Sequence, residues 1–258
     1  MIQSVTRAAQ ILRALEREGP RLGVTELSES LGLAKGTVHG LLRTLEVNQF
    51  VEQDVETGKY HLGPALLELG NAFLDNHDLR ARSLLWAESL ATRAREAVRV
   101  GVLNGDNVLV IHHVFRPDNS VQILEVGAAI PWHACALGKA IVAYLPDQSR
   151  TDLLEGPLPQ LTGRTIISSG EISSGLEHIR HVGFAVDDQE AIVGEAGIAA
   201  PILADGGRPA GAIGLTGPVE DILPDGPNPV KLASLRDAAR NLSRDMGGGR
   251  MVALRSQG

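Results

Sequence analysis

The sequence predicts an α+β protein in two parts: a helix-rich N-terminal domain carrying a short hairpin, then a larger domain of strands and helices. Three observations carry this. Apolar residues recur at helical spacing from Val5 to Leu45. A short alternating stretch with a Gly-bearing turn follows at 50–62. From Val98 onward, alternating strand-like runs are interleaved with helical ones over some 150 residues, a length and mixture that suit a second domain on an antiparallel or mixed sheet.

Taken in order, Ser4 to Glu18 predicts a helix, with Ser4 as cap, Val5, Ala8, Ile11, Leu12 and Leu15 as its apolar face, and Gly19-Pro20 as its stop. Thr25 is placed to cap a short second helix, with Leu27 and Leu31 on one face. Gly32 supplies the left-handed backbone of a sharp turn. A third helix starts near Ala34. Val38, Leu41, Leu42 and Leu45 form its buried stripe, and Lys35, His39 and Arg43 step along a neighbouring stripe. One helix that braces and a next one with an outward basic face is the layout of a helix-turn-helix, whose second helix enters the DNA major groove. Gly36 and Gly40 let that helix approach closely, at about 1 kcal/mol each relative to Ala. Lys35 and Thr37 sit in its first turn, and Arg43 suits guanine or phosphate. Phe50–Asp54, the turn Val55–Gly58 and Lys59–Leu62 read as a hairpin wing, with Lys59 at its tip in reach of a phosphate.

Pro64 to Leu74 predicts a connecting helix, apolar over more of its circumference than a solvated linker needs. Asp78 to Ala97 predicts another long amphipathic helix. Two readings stand for both: packing on a second subunit, or intrachain core. Strands are expected at Val98–Leu103, Val108–Val114, Ser120–Glu125, Phe184–Asp187, Ala196–Leu203 and Ala210–Thr216. Helices are expected at Leu137–Leu145, Ser174–His181 and Asn228–Asp245, with a frayed tail from Met246. The domain boundaries follow: 1–63, a linker helix at 64–77, 78–249, and a tail at 250–258.

Composition limits the function. The net charge is −7, and residues 1–62 hold seven Lys/Arg against eight Asp/Glu. Attraction to phosphate must therefore come from local arrangement rather than bulk charge. Aromatics are 3% of the chain, too few for a stacking surface on single strands. No apolar run of about 18 residues spans a membrane. A single cysteine, Cys135, excludes an intrachain disulfide and a Cys-based zinc site, and a cytoplasmic setting fits. His112 and His113 in tandem face opposite sides of a strand, one towards a pocket and one towards solvent, without metal-ligand spacing around them. His133 and Cys135 raise a thiol-nucleophile reading that lacks an orienting acid. Neither a metal, a cofactor nor an enzymatic activity is expected.

Three blocks then resemble the isocitrate-lyase-regulator (IclR) family of bacterial transcriptional regulators across nearly the whole chain. They are the winged helix-turn-helix ending Gly58-Lys59-Tyr60-His61-Leu62-Gly63; Pro131-Trp132-His133-Ala134-Cys135-Ala136-Leu137-Gly138-Lys139-Ala140; and the stretch from Gly183 through Asp187-Asp188-Gln189-Glu190, Gly194 and Ile198-Ala199-Ala200-Pro201 to Gly214-Leu215-Thr216-Gly217-Pro218. Leu31–Thr37 with His39-Gly40, Phe50–Asp54 and Val110–Asp118 are most similar to actinobacterial regulators of glycerol operons.

The resemblance implies a GAF/PAS-like effector domain, dimers or tetramers on palindromic double-stranded operator DNA, and a small metabolite that alters DNA affinity. The DNA-facing set is then Thr25, Lys35, Gly36, Thr37, His39, Gly40, Arg43 and Lys59. The family's ligand contacts fall on Cys135, Ala136, Leu137, Asp187, Gly197, Gly214 and Thr216, with the amides that open the Leu137 helix suited to an oxyanion. Asp187 also reads as a plain turn or capping residue. Carboxylate-binding members carry Cys or Ser where Gly197 stands and Ser where Gly214 stands. The pocket is therefore expected to be roomier here and to take a polyol, a phosphorylated polyol or a bulkier molecule rather than a small keto acid. Two rival functions are an enzyme using this pocket, with the N-terminal domain as a docking module, and a chromatin-like DNA binder without an effector.

Overall fold

The computed structural model describes residues 2–118 and 120–248. The chain divides between Asn76 and His77 into two compact units. The tail expected at 250–258 lies outside the described residues.

The first unit holds α1 (Gln3–Arg17), α2 (Val24–Leu31), α3 (Lys35–Val47), β1 (Val51–Gln53), β2 (Tyr60–Leu62) and α4 (Ala65–Asp75). Ile11, Leu15, Leu27, Val38, Leu42, Val51 and Tyr60 close its core. Gly32 takes the left-handed turn at φ 63°. Two capping expectations are corrected. Ser4 lies inside α1, whose cap is Ile2 without a side-chain bond. Thr25 lies inside α2, because the Glu26 carboxylate already holds the Gly23 N–H at 2.5 Å and starts the helix two residues earlier.

β1 and β2 pair antiparallel, and Leu22 bridges to Tyr60 on the far side of β2. The intervening turn is tied by Asp54 Oδ1, which accepts from the Thr57 N–H at 2.8 Å and its hydroxyl at 2.9 Å. These bonds hold the Asp54 carboxyl below the usual range. Gly58 at φ 68° closes the turn. Lys59 therefore stands at the foot of the turn rather than at its tip. No residue of α4 is buried, with Leu67 and Leu69 exposed, so the intrachain-core reading does not hold for that helix.

The second unit is a six-stranded sheet in the order β5-β4-β3-β8-β7-β6, every pairing antiparallel. Its strands are β3 (Ala97–Asn104), β4 (Asn107–Val114), β5 (Ala129–Pro131), β6 (Ala185–Asp188), β7 (Glu195–Leu203) and β8 (Pro209–Pro218). The strand expected at Ser120–Glu125 is absent; β5 supplies that edge instead. Its alternation is turned inside out. Val121 is 99% and Ile123 80% exposed. Gln122 spends its amide on the Arg116 backbone, accepting from the N–H at 2.6 Å and donating to the carbonyl at 2.9 Å.

α5 (Asp78–Ala94) and α10 (Pro229–Asp245) cover one face of the sheet, and α6 (Ala136–Val142) covers the other, backed by α8 (Ser169–Val182). α5 buries Leu79, Ala87, Leu90 and Ala91, so for this helix the intrachain reading holds. Ser168 caps α8 and Asn228 caps α10. The sequence reading had no counterpart for α7 (Asp147–Glu155), which buries no residue and so shows no apolar stripe. α9 (Val219–Ile222) is a single turn. Met246 to Gly248 do not fray: Gly248 donates to the Ser243 carbonyl at 2.7 Å and Gly247 bridges to Ala204.

Candidate functional site

Two candidate sites follow, one in each unit. On α3, Val38, Leu42 and Leu45 are buried and Leu41 is half-buried. Lys35, Gly36, His39, Gly40 and Arg43 are exposed, and Thr37 is half-buried. Lys35, His39 and Arg43 make no ion pair or side-chain hydrogen bond among the described residues. A methyl added at Gly36 or Gly40 would meet nothing within 4 Å. Among the described residues, no packing therefore calls for glycine at either place, although each weakens the helix. Thr25 is exposed at the start of α2. Lys59 is engaged: its Nζ sits 2.9 Å from Glu26, and this contact holds the Glu26 carboxyl below its ordinary range.

In the second unit, all seven residues that the resemblance assigned to a ligand converge. Cys135, Ala136 and Leu137 at the start of α6, Asp187 on β6, Gly197 on β7, and Gly214 and Thr216 on β8 line one slot, together with Arg99 from β3. Strand register explains the convergence. Gly197 pairs with both Asp187 and Thr216, and Gly214 pairs with Arg99, so these side chains share the sheet face under α6. Gly138 lets the helix lie there, since a methyl on it would fall 2.1 Å from the Trp132 carbonyl oxygen.

The extra room expected from Gly197 and Gly214 is not found. The slot measures about 20 Å³, little more than one or two waters occupy. A methyl at Gly214 would lie 3.0 Å from the Ile198 carbonyl oxygen and 3.2 Å from Leu137.

Burial pushes the Asp187 carboxyl up to about 7, against the N–H of Glu190 that Oδ1 accepts at 2.8 Å. Asp187 is thus both a turn anchor and a slot residue. Burial also pushes the Cys135 thiol up to about 12. Its sulfur caps α6 by accepting from Gly138 N–H at 3.4 Å, which removes one amide from those expected to meet a ligand oxygen. His133 faces the Pro159 carbonyl at 3.1 Å instead of Cys135, so no activated thiol arises. Of the tandem histidines, His113 is buried and lines a cleft, its Nδ1 accepting from the Glu125 N–H at 3.2 Å, while His112 is half-buried rather than open to solvent, and burial lowers the pKa of both.

Sequence reasoning missed the charged frame around the slot. Arg99 pairs with Glu125 and, at 3.0 Å, with Glu195, which also accepts from the Thr216 hydroxyl at 2.9 Å. Lys139 and Glu190 form a buried ion pair. Arg99 and Glu195 are 96 residues apart, so only their adjacency in the sheet reveals them.

Comparison with known proteins bears on both sites. Residues 4–55 match the IclR helix-turn-helix domain, and residues 71–244 match the bacterial transcriptional regulator IclR C-terminal domain. The glycerol operon regulatory protein of Streptomyces griseus is 47% identical over 96% of this chain and 98% of its own length. The transcriptional repressor AllR of Escherichia coli is 30% identical over 95% of this chain and 90% of its own. The crystal structure of a transcriptional regulator of this type from Alicyclobacillus acidocaldarius superposes with a TM-score of 0.80 at 26% identity, covering 96% of this chain and all of that one.

Proposed function

The chain belongs to the IclR family of bacterial transcriptional regulators, and on that footing we propose that it is an effector-responsive repressor of a catabolic operon, glycerol utilisation being the operon class. It is a DNA-binding regulator with an effector-binding C-terminal domain. The observation that carries the rest is the face of α3: three unpaired basic or imidazole side chains beside two glycines that nothing inside the chain requires. In this reading Lys35, Thr37, His39 and Arg43 contact bases and phosphates, and Gly36 and Gly40 bring the helix backbone against the groove. Thr25 lies at a helix start suited to phosphate. Lys59 reaches a phosphate only by releasing Glu26.

A homodimer, alone or paired into a tetramer, presents two such helices to a palindrome, and the exposed Leu67 and Leu69 of α4 suit a contact between copies. A polyol or phosphorylated polyol held by Cys135, Ala136, Leu137, Asp187, Gly197, Gly214 and Thr216 favours one arrangement of the effector domains. That shifts the spacing of the recognition helices. A 100-fold preference for one arrangement is worth about 2.7 kcal/mol, enough to matter at an operator. The slot by itself is too small for such a molecule unless α6 or its neighbours move.

Footprinting of the protein on its own promoter, with and without glycerol, glycerol 3-phosphate and longer polyols, tests this. A protected palindrome that a metabolite abolishes is expected. Equal affinity for random and promoter DNA overturns the reading.

A further inference from the structure

The slot shares Arg99 and Thr216 with a second, open cleft of about 530 Å³. Clefts that hold small molecules run from about 300 to 1,000 Å³, so this one has the capacity the slot lacks. Its floor is polar: Arg99, Glu125, Glu195, Thr216 and His113. Its lips are apolar. Val121 and Ile123 stand on one side, and Ile192 and Val193 on the other. Val193 is 75% exposed. Within the stretch 120–125, Glu125 reaches Arg99 on the floor while Val121 and Ile123 stand at the rim.

The floor carries no surplus positive charge. Arg99 is matched by Glu125 and Glu195, and Arg116 at its margin by Asp118 and Glu96. Burial lowers the pKa of His113, which disfavours its charged form. An anionic group placed here meets two carboxylates for each guanidinium it could engage, which works against it. A hydroxyl both donates and accepts, so a row of hydroxyls can insert between Arg99 and its carboxylates without leaving either side unpaired. The carbon faces of such a chain lie against the aliphatic lips.

We propose that the effector site extends from the slot, across Arg99 and Thr216, into this cleft, and that the cleft takes a neutral polyhydroxylated molecule. Arg99 is its specificity-determining residue. The inference rests on the reading of this domain as an effector sensor and names the ligand class of that sensor.

The test is calorimetric titration of the full chain with xylitol, glycerol 3-phosphate and inorganic phosphate, in the wild type, Arg99→Gln and Val193→Trp. Xylitol is expected to bind the wild type, and each substitution to weaken it by at least about tenfold. Val193→Trp changes only an exposed lip, so it reports on the cleft even if Arg99→Gln perturbs folding. Absence of xylitol binding, tighter binding of glycerol 3-phosphate or phosphate than of xylitol, or unchanged xylitol affinity in Val193→Trp overturns the proposal. A gel-shift of the wild type on promoter DNA, run on the same preparation, separates the two ideas. Loss of specific DNA binding with xylitol binding retained sinks the repressor reading and leaves the cleft standing.

Discussion

Gly36 and Gly40 on α3, and Gly138 and Gly214 beside the slot, are the same residue used in opposite ways. Around the first pair a methyl would meet nothing within 4 Å; around the second it would strike the Trp132 backbone at 2.1 Å or the Ile198 carbonyl at 3.0 Å. The N-terminal unit leaves its glycines bare on a surface already in its working shape. The C-terminal unit uses Gly138 to fold the start of α6 against the Trp132 turn and Gly214 to seat Leu137 on the sheet. One site is open and waits for a rigid partner. The other is closed at its slot and widens only across Arg99 and Thr216.

The sharpest way to break this comparison is Gly138→Ala. Overpacking against main chain is expected to cost about 3 kcal/mol, read as a lower urea midpoint for the second unit. Arg43→Ala should leave stability alone and remove about 2 kcal/mol of operator affinity, measured by gel shift; unchanged affinity would remove that face from the interface. Asp187→Asn sharpens the contrast through pH. Burial raises the folded carboxyl to about 7 from its ordinary 3.8, so its contribution to stability is full at low pH and is lost as pH rises through that window. The Asn variant should therefore gain on the wild type between pH 4 and pH 8, by up to about 4 kcal/mol, seen as a pH-dependent difference in Tm. A flat difference would mean that the carboxyl titrates normally. The smallest effect is the most diagnostic. Gly36→Ala and Gly40→Ala should each raise helix stability by about 1 kcal/mol while weakening operator binding, a gain in one assay and a loss in the other.

Much of the fold was legible because a buried stripe at helical spacing needs no partner to be recognised: Leu27, Val38, Leu42 and Leu45 read as core and are core. What misled was local pattern without knowledge of sides. Val121 and Ile123 alternate as a buried strand would, yet they point outward, because Gln122 and Glu125 have polar partners inside. Thr25 looked like a cap until Glu26 took the Gly23 amide. All seven ligand positions carried by family resemblance met in one place. The volume between them did not follow from their identities, because a missing side chain does not leave a hole when a neighbouring helix is free to settle. Arg99 was invisible for a different reason: its carboxylate partners lie 26 and 96 residues away and become neighbours only when the chain has folded around the site.

Cys135 carries a last consequence. It is the chain's sole sulfhydryl, sealed beneath α6 and kept protonated across physiological pH. Peroxide and electrophiles react with the thiolate form, and here that form is scarcely populated. Oxidative attack therefore leaves this helix cap unaltered, and a change of redox state does not reach the slot through it.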